Sequence, residues 1–133
     1  MRHELLHHHN PVSDCVLDIW LDFDAGAHDD IDITEYYDYA SRPDSGGREY
    51  AYSVHFPERD LPRVVQALTR RCGDITPDPD PRTALVSCLR TLIDRGELGV
   101  HLGIEGSVRA LRAWLDEAGI GHREGRWAWF DSD

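Results

Sequence analysis

Apolar and polar positions alternate strictly over Cys15–Phe23: Cys15, Leu17, Ile19, Leu21 and Phe23 share one face, and Val16, Asp18, Trp20 and Asp22 the other. A period of two predicts a half-buried antiparallel strand. Ile31, Ile33, Tyr37 and Tyr39 suggest a second strand whose period slips near Glu35, and Tyr50, Tyr52, Val54 and Phe56 a third. The loop at Ser41–Arg48 carries Pro43, Asp44, Gly46 and Gly47. After Pro57 the period lengthens. Leu61, Val64, Val65, Leu68 and Cys72 fall at helical spacing, with Asp60 as candidate cap and Gly73 as stop. Alternating Pro77, Pro79 and Pro81 predict an extended connection.

A second helix is expected after Thr83, carrying Leu85, Val86, Leu89, Leu92 and Ile93 on one face. Leu98–Ile104 suggests a short strand. A third helix follows a Ser107 cap, with Val108, Leu111, Trp114 and Leu115 inward, and Ile120–Phe130 reads as an aromatic hairpin or single strand around Glu124–Gly125. The expected fold is a single α+β domain over 13–133: a mostly antiparallel sheet with about three helices on one face, in the order β-β-β-α-α-β-α-β. Residues 1–12 are expected to be a flexible His-rich tail ended by Pro11. The 133 residues suit one domain with its own core.

Charge narrows the function classes. The formal net charge is −11 and all 14 basic residues are Arg. Nucleic acid is disfavoured, because binding rests on neutralising phosphates, and anionic membranes are disfavoured for the same reason. No apolar run approaches a membrane span and no signal-peptide core precedes the first strand. With three cysteines (Cys15, Cys72, Cys88) and no C-x-x-C, a disulfide framework is not expected, and a reducing cytoplasmic setting is.

Nine carboxylates lie between Asp14 and Asp38 with no Arg among them. EF-hand frames beginning at Asp22 or Asp24 both lack the required glycine. Aromatics within such a field suit capture of a basic protein, with rings as anchors and charge as steering. The candidate partner-binding residues are Asp18, Trp20, Asp22, Asp24, Asp29, Asp30, Asp32, Glu35, Tyr36 and Tyr37. The competing readings are a solvated acidic face and an irregular cation site.

His3-Glu4-Leu5-Leu6-His7 is a literal H-E-x-x-H. It lacks the preceding element that would shape a zinc cleft, and Pro11 breaks any helix. His3, His7, His8 and His9 are therefore expected to bind metal only adventitiously, and no cofactor is expected. His55 and Ser53 share one face of their strand, and His101 precedes Glu105. No nucleophile–base pair follows from spacing alone. The glycines at 99, 103 and 106 before Ser107 fit tight turning better than a phosphate loop.

The Glu49–Phe56 strand running into "ERDLPRVVQAL", with "ALRAWLDEAGI" before an aromatic strand, resembles small uncharacterised proteins of high-GC Gram-positive bacteria over roughly residues 49–130. The resemblance implies a toxin-immunity type of role, neutralising a basic toxin such as a nuclease. The alternatives are a structural or regulatory homo-oligomer joined through Trp127–Phe130, and a small metal-dependent or cysteine-based enzyme.

Overall fold

The computed structural model describes residues 2–25, 30–39, 47–73 and 76–130. Five strands form one antiparallel meander in the order of the chain: β1 (Arg2–His9), β2 (Cys15–Ala25), β3 (Asp30–Tyr39), β4 (Arg48–Pro57) and β5 (Arg123–Phe130). Helices α1 (Leu61–Cys72), α2 (Pro81–Asp94) and α3 (Gly106–Glu117) complete the α+β domain. They cover one face of the sheet, where Leu17, Ile19, Leu21, Phe23, Ile31, Ile33, Val54 and Phe56 are buried. The helical stripes that face them are those of the sequence pattern: Leu61, Val64, Val65, Leu68 and Cys72; Leu85, Val86, Leu89 and Leu92; Val108, Leu111, Trp114 and Leu115. No described helix is long and apolar enough to cross a membrane. The expected loop at 41–46 lies outside the described residues.

Three expectations are corrected. Residues 2–9 are an edge strand rather than a tail: Arg2, Glu4, His7 and His9 lie opposite Asp22, Trp20, Asp18 and Val16 of β2. The sequence concealed this because Leu5 and Leu6 stand side by side at a bulge instead of alternating, and the inward positions around them are His3 and His8. Leu98–Ile104 is not a strand; Gly99 (φ 116°) and Gly103 (φ 75°) bracket a 3-10 turn at Val100–Leu102 instead, a backbone open to glycine and strained for other residues. The period of β3 does not slip. Ile31, Ile33, Glu35 and Tyr37 all point inward, so a carboxylate occupies a core position.

Glu35 is 1% exposed. Its Oε1 accepts the Val108 N–H at 2.6 Å, 73 residues along the chain. The residue before α3, Glu105, is in the left-handed region (φ 64°) and its side chain does not cap the helix. Ser107, expected as the cap, instead accepts the Gly99 N–H at 2.8 Å on its hydroxyl. Glu35 thus satisfies from the sheet an amide that local sequence leaves orphaned. Its Oε2 bonds the Tyr37 hydroxyl, which also reaches the Gly103 carbonyl at 3.1 Å. The phenolic hydrogen is shared between the Glu35 carboxyl and the Gly103 carbonyl, a three-centre arrangement in which Tyr37 donates to both. Burial pushes the Glu35 carboxyl above its ordinary range, against the opposing pull of these hydrogen bonds. Glu35 and Tyr37 (5% exposed) therefore belong to the core and not to a partner-binding surface.

A carboxyl whose folded pKa is raised stabilises fully below its unfolded value and loses that contribution as pH rises through the folded one. Glu35→Gln has the shape of the protonated acid and does not titrate. In urea unfolding from pH 4 to pH 8, wild-type stability should therefore decline relative to Glu35→Gln as pH rises; a relative gain would refute a carboxyl pushed up by burial. Glu35→Ala should cost about 1–3 kcal/mol for each amide or hydroxyl left unpaired.

Candidate functional site

The second face of the sheet is covered by no described element. Cross-strand register lays its side chains out in rows. One row runs His7, Asp18, Tyr36, Ala51 and Trp127; the next runs Glu4, Trp20, Thr34, Ser53 and Gly125; a third joins Arg2, Asp22, Asp32, His55 and Arg123. Trp20 and Tyr36 lie ring to ring at 5.6 Å, Arg2 stacks over Trp20 at 4.2 Å, and Trp127 is 50% exposed.

Of the residues expected to bind a partner, Asp18, Trp20, Asp22, Asp32 and Tyr36 meet on this face. Asp24 sits beside a bulge in β2 and is clamped by Arg82, whose two terminal nitrogens reach its oxygens at 3.2 and 2.9 Å. That bond holds the Asp24 carboxyl below its ordinary range. Asp30 is buried and bonded to Arg123. Asp29 lies outside the described residues. The acidic segment contains no Arg in sequence, yet folding brings it Arg82 and Arg123.

Two acids that the sequence reading did not place at the site belong there. Asp38 pairs with Glu49 across β3–β4, and Tyr36 donates its hydroxyl to Glu49. Partial burial, then the charges of Glu49 and Asp18, push the Asp38 carboxyl up. Three carboxylates thus crowd Tyr36. Cross-strand register was the missing signal, since Glu49 is eleven positions beyond Asp38.

The H-E-x-x-H stretch is divided by the sheet. A bulge at Leu5 turns both Glu4 and His7 to the open face, whereas His3 and His8 lie opposite Leu21 and Leu17 on the helix side. His3 packs edge-on against Phe23 at 5.5 Å. Glu4, His7 and Asp18 each bring one ligand atom within 4.8 Å of the other two, and His7 Nδ1 lies 2.6 Å from Asp18 Oδ1.

At the opposite corner, His55 Nδ1 bonds Asp32 and His55 Nε2 lies 2.9 Å from Ser53 Oγ. Beside His55 opens a hollow of about 440 Å³ lined by Pro57, Arg59, Asp60, Arg63, Gly121, His122 and Arg123. His101, expected mid-strand, is instead exposed in the 3-10 turn. The thiols of Cys15, Cys72 and Cys88 are buried and unbridged, and burial pushes those of Cys15 and Cys72 up, which disfavours the nucleophilic thiolate.

No family model, curated protein or solved structure matches this chain. The functional reading therefore rests on the geometry of the open face.

Nickel binding, followed by calorimetric titration, should weaken at least about tenfold in His7→Ala, because imidazole is the ligand of the trio best suited to that ion. It should be unchanged in His3→Ala. Equal losses in both variants would show that the histidines act as an unstructured tag.

Proposed function

We propose that this chain is an acidic protein-binding module that docks a basic partner on the open face of its sheet. The reading extends to a cytoplasmic immunity protein that covers the positive cleft of a toxin such as a nuclease. The observation that carries it is the crowding of Asp18, Asp38 and Glu49 around Tyr36, next to the rings of Trp20 and Trp127. Mutually repelling carboxylates are stabilised when an Arg or Lys enters among them, and flat aromatic rings provide apolar area at little entropic cost. The field also steers encounter, since opposite charge accelerates association.

The acids that matter differ from those nearest in sequence. Asp24 and Asp30 already hold arginines. Asp18, Asp38 and Glu49 are where a cation from a partner relieves repulsion. A second reading draws on β5, an edge strand with Trp127 exposed: an unpaired edge can add a strand from another copy. A rise in sedimentation coefficient with concentration, abolished by Trp127→Ser, would favour self-association.

The test begins with capture from the source organism's lysate at low and moderate salt. Association kinetics follow with the protein so identified. The combined variant Asp18→Asn, Asp38→Asn, Glu49→Gln should keep the circular dichroism of the fold and slow association by roughly tenfold or more at low salt. The difference should shrink at high salt as charge is screened. An unchanged association rate at low salt would overturn the reading.

A further inference from the structure

The Ser53, His55 and Asp32 side chains form a hydrogen-bonded line across β4 and β3 that partner binding does not require. Asp32, as a carboxylate, only accepts hydrogen bonds, so the Nδ1 it contacts must carry the imidazole hydrogen. In the neutral ring, Nε2 is then the acceptor, and at 2.9 Å it takes the hydrogen bond of the Ser53 hydroxyl. A hydroxyl bonded to an imidazole that is itself oriented by a carboxylate has the hydrogen-bond pattern of an activated nucleophile. Asp32, Ser53 and His55 are all partly buried, so the line is neither sealed in the core nor freely solvated.

Two neighbouring features fit a reacting centre. The residue opposite Ser53 is Gly125. A Cβ there would stand 2.5 Å from Ser53 Oγ and 2.9 Å from His55 Nε2, so a side chain would displace the pair. The hollow beside His55 brings Arg59, Arg63 and Arg123 together with Asp60 as its one lining carboxylate. Arg63 bonds the carbonyls of Ala118 and Gly119 and pairs with Asp60 at 3.7 Å, and Arg123 bonds Asp30. Arg59 has no partner among the described residues and is exposed. Asp60 and Asp30 offset two of the three guanidiniums and leave Arg59 to grip an incoming carboxylate, the group guanidinium binds most specifically.

We propose that Ser53 is the nucleophile of an acyl-transfer site, with His55 as its base and Asp32 as the positioning residue, acting on carboxylic esters that bear a second, negatively charged group. The charged group sits in the arginine-lined hollow. Ser53 Oγ bonds to the ester carbonyl carbon as its proton moves to His55 Nε2. The bond from that carbon to the leaving oxygen then breaks, and His55 returns the proton to the departing alcohol. Water next adds to the acyl-serine, giving its proton to His55. The carbon–Oγ bond breaks, Ser53 recovers the proton, and the carboxylic acid leaves. Asp32 accepts from Nδ1–H throughout, holding the tautomer that leaves Nε2 free to accept.

The experiment treats the full chain with a fluorophosphonate probe and sequences the labelled peptide. Cleavage after Arg48 and Arg59 releases Glu49–Arg59, in which Ser53 is the single serine. Hydrolysis of p-nitrophenyl acetate and of mono-p-nitrophenyl succinate is followed in parallel. Labelling should fall on Ser53, vanish in Ser53→Ala, drop at least about 100-fold in rate in His55→Ala, and persist in Thr34→Ala, which removes the neighbouring hydroxyl of the same row. Asp32→Asn, nearly the same in shape, should slow both esters and alter the pH–rate profile, a change that a purely structural role for Asp32 would not produce. The succinate ester should be turned over about tenfold faster than the acetate, with the preference lost in Arg59→Ala. Labelling elsewhere than Ser53, labelling that survives His55→Ala in a folded protein, or no labelling of the folded wild type would overturn the site. Equal rates for the two esters would overturn the substrate class.

Discussion

The carboxyl of Glu35 joins sheet to helix, and the arrangement of the domain turns on it. It lies on the buried side of β3, where a core of this kind otherwise has an apolar side chain. Its bond to the Val108 amide anchors the first turn of α3 over the middle of the sheet. The preceding loop gives α3 no cap of its own: Glu105 adopts a left-handed backbone, and its carboxylate is held by Arg109, Arg112 and Arg126. A buried amide without a partner is costly, and a buried acid without donors is more so. Each answers the other. Tyr37 and Gly103 extend the network to the turn before α3, so the position of that turn depends on the same group.

With the helices committed to one face, the other face is left to side chains alone. Antiparallel register then determines its chemistry. Residues remote in sequence become neighbours, as Asp38 and Glu49 do, or Asp32 and His55. The outcome is a surface of two characters. One region gathers carboxylates and aromatic rings; the opposite corner gathers imidazoles and guanidiniums next to a hydroxyl. The −11 net charge describes the whole chain but neither region. Arginines from α2 and β5 neutralise Asp24, near the end of β2, and Asp30, at the start of β3. Among the described residues, the acids that stay crowded, Asp18, Asp38 and Glu49, pair with no arginine, and Asp18 meets the His7 imidazole instead.

The β1 strand shows how a small irregularity redirects chemistry. In a regular strand, residues 4 and 7 would face opposite sides. The extra residue at Leu5 brings Glu4 and His7 to the same side, beside Asp18, and sends His3 to the other. The motif's spacing suits a helix, where both histidines would share a face. On a bulged strand the same letters form a different set. The motif's identity therefore depended on an element type that the His-rich sequence did not reveal.

The alternation of β2 and β4 and the apolar stripes of the three helices were legible from the sequence, because burying an apolar face imposes a period of two or of three to four wherever the chain is. Those patterns suffice for an α+β domain with helices on one side. The apparent slip at Glu35 was legible only as a polar residue in an apolar position, since its partner is 73 residues away. The same limit applies to the site. Composition marked an acidic, aromatic segment, and alternation put Ser53 and His55 on one face. Which acids are neutralised, which remain crowded, and that Asp32 stands behind His55 were settled by tertiary structure alone. Hydrogen bonds and ion pairs act over a few ångströms, and only the folded register brings those groups within that range.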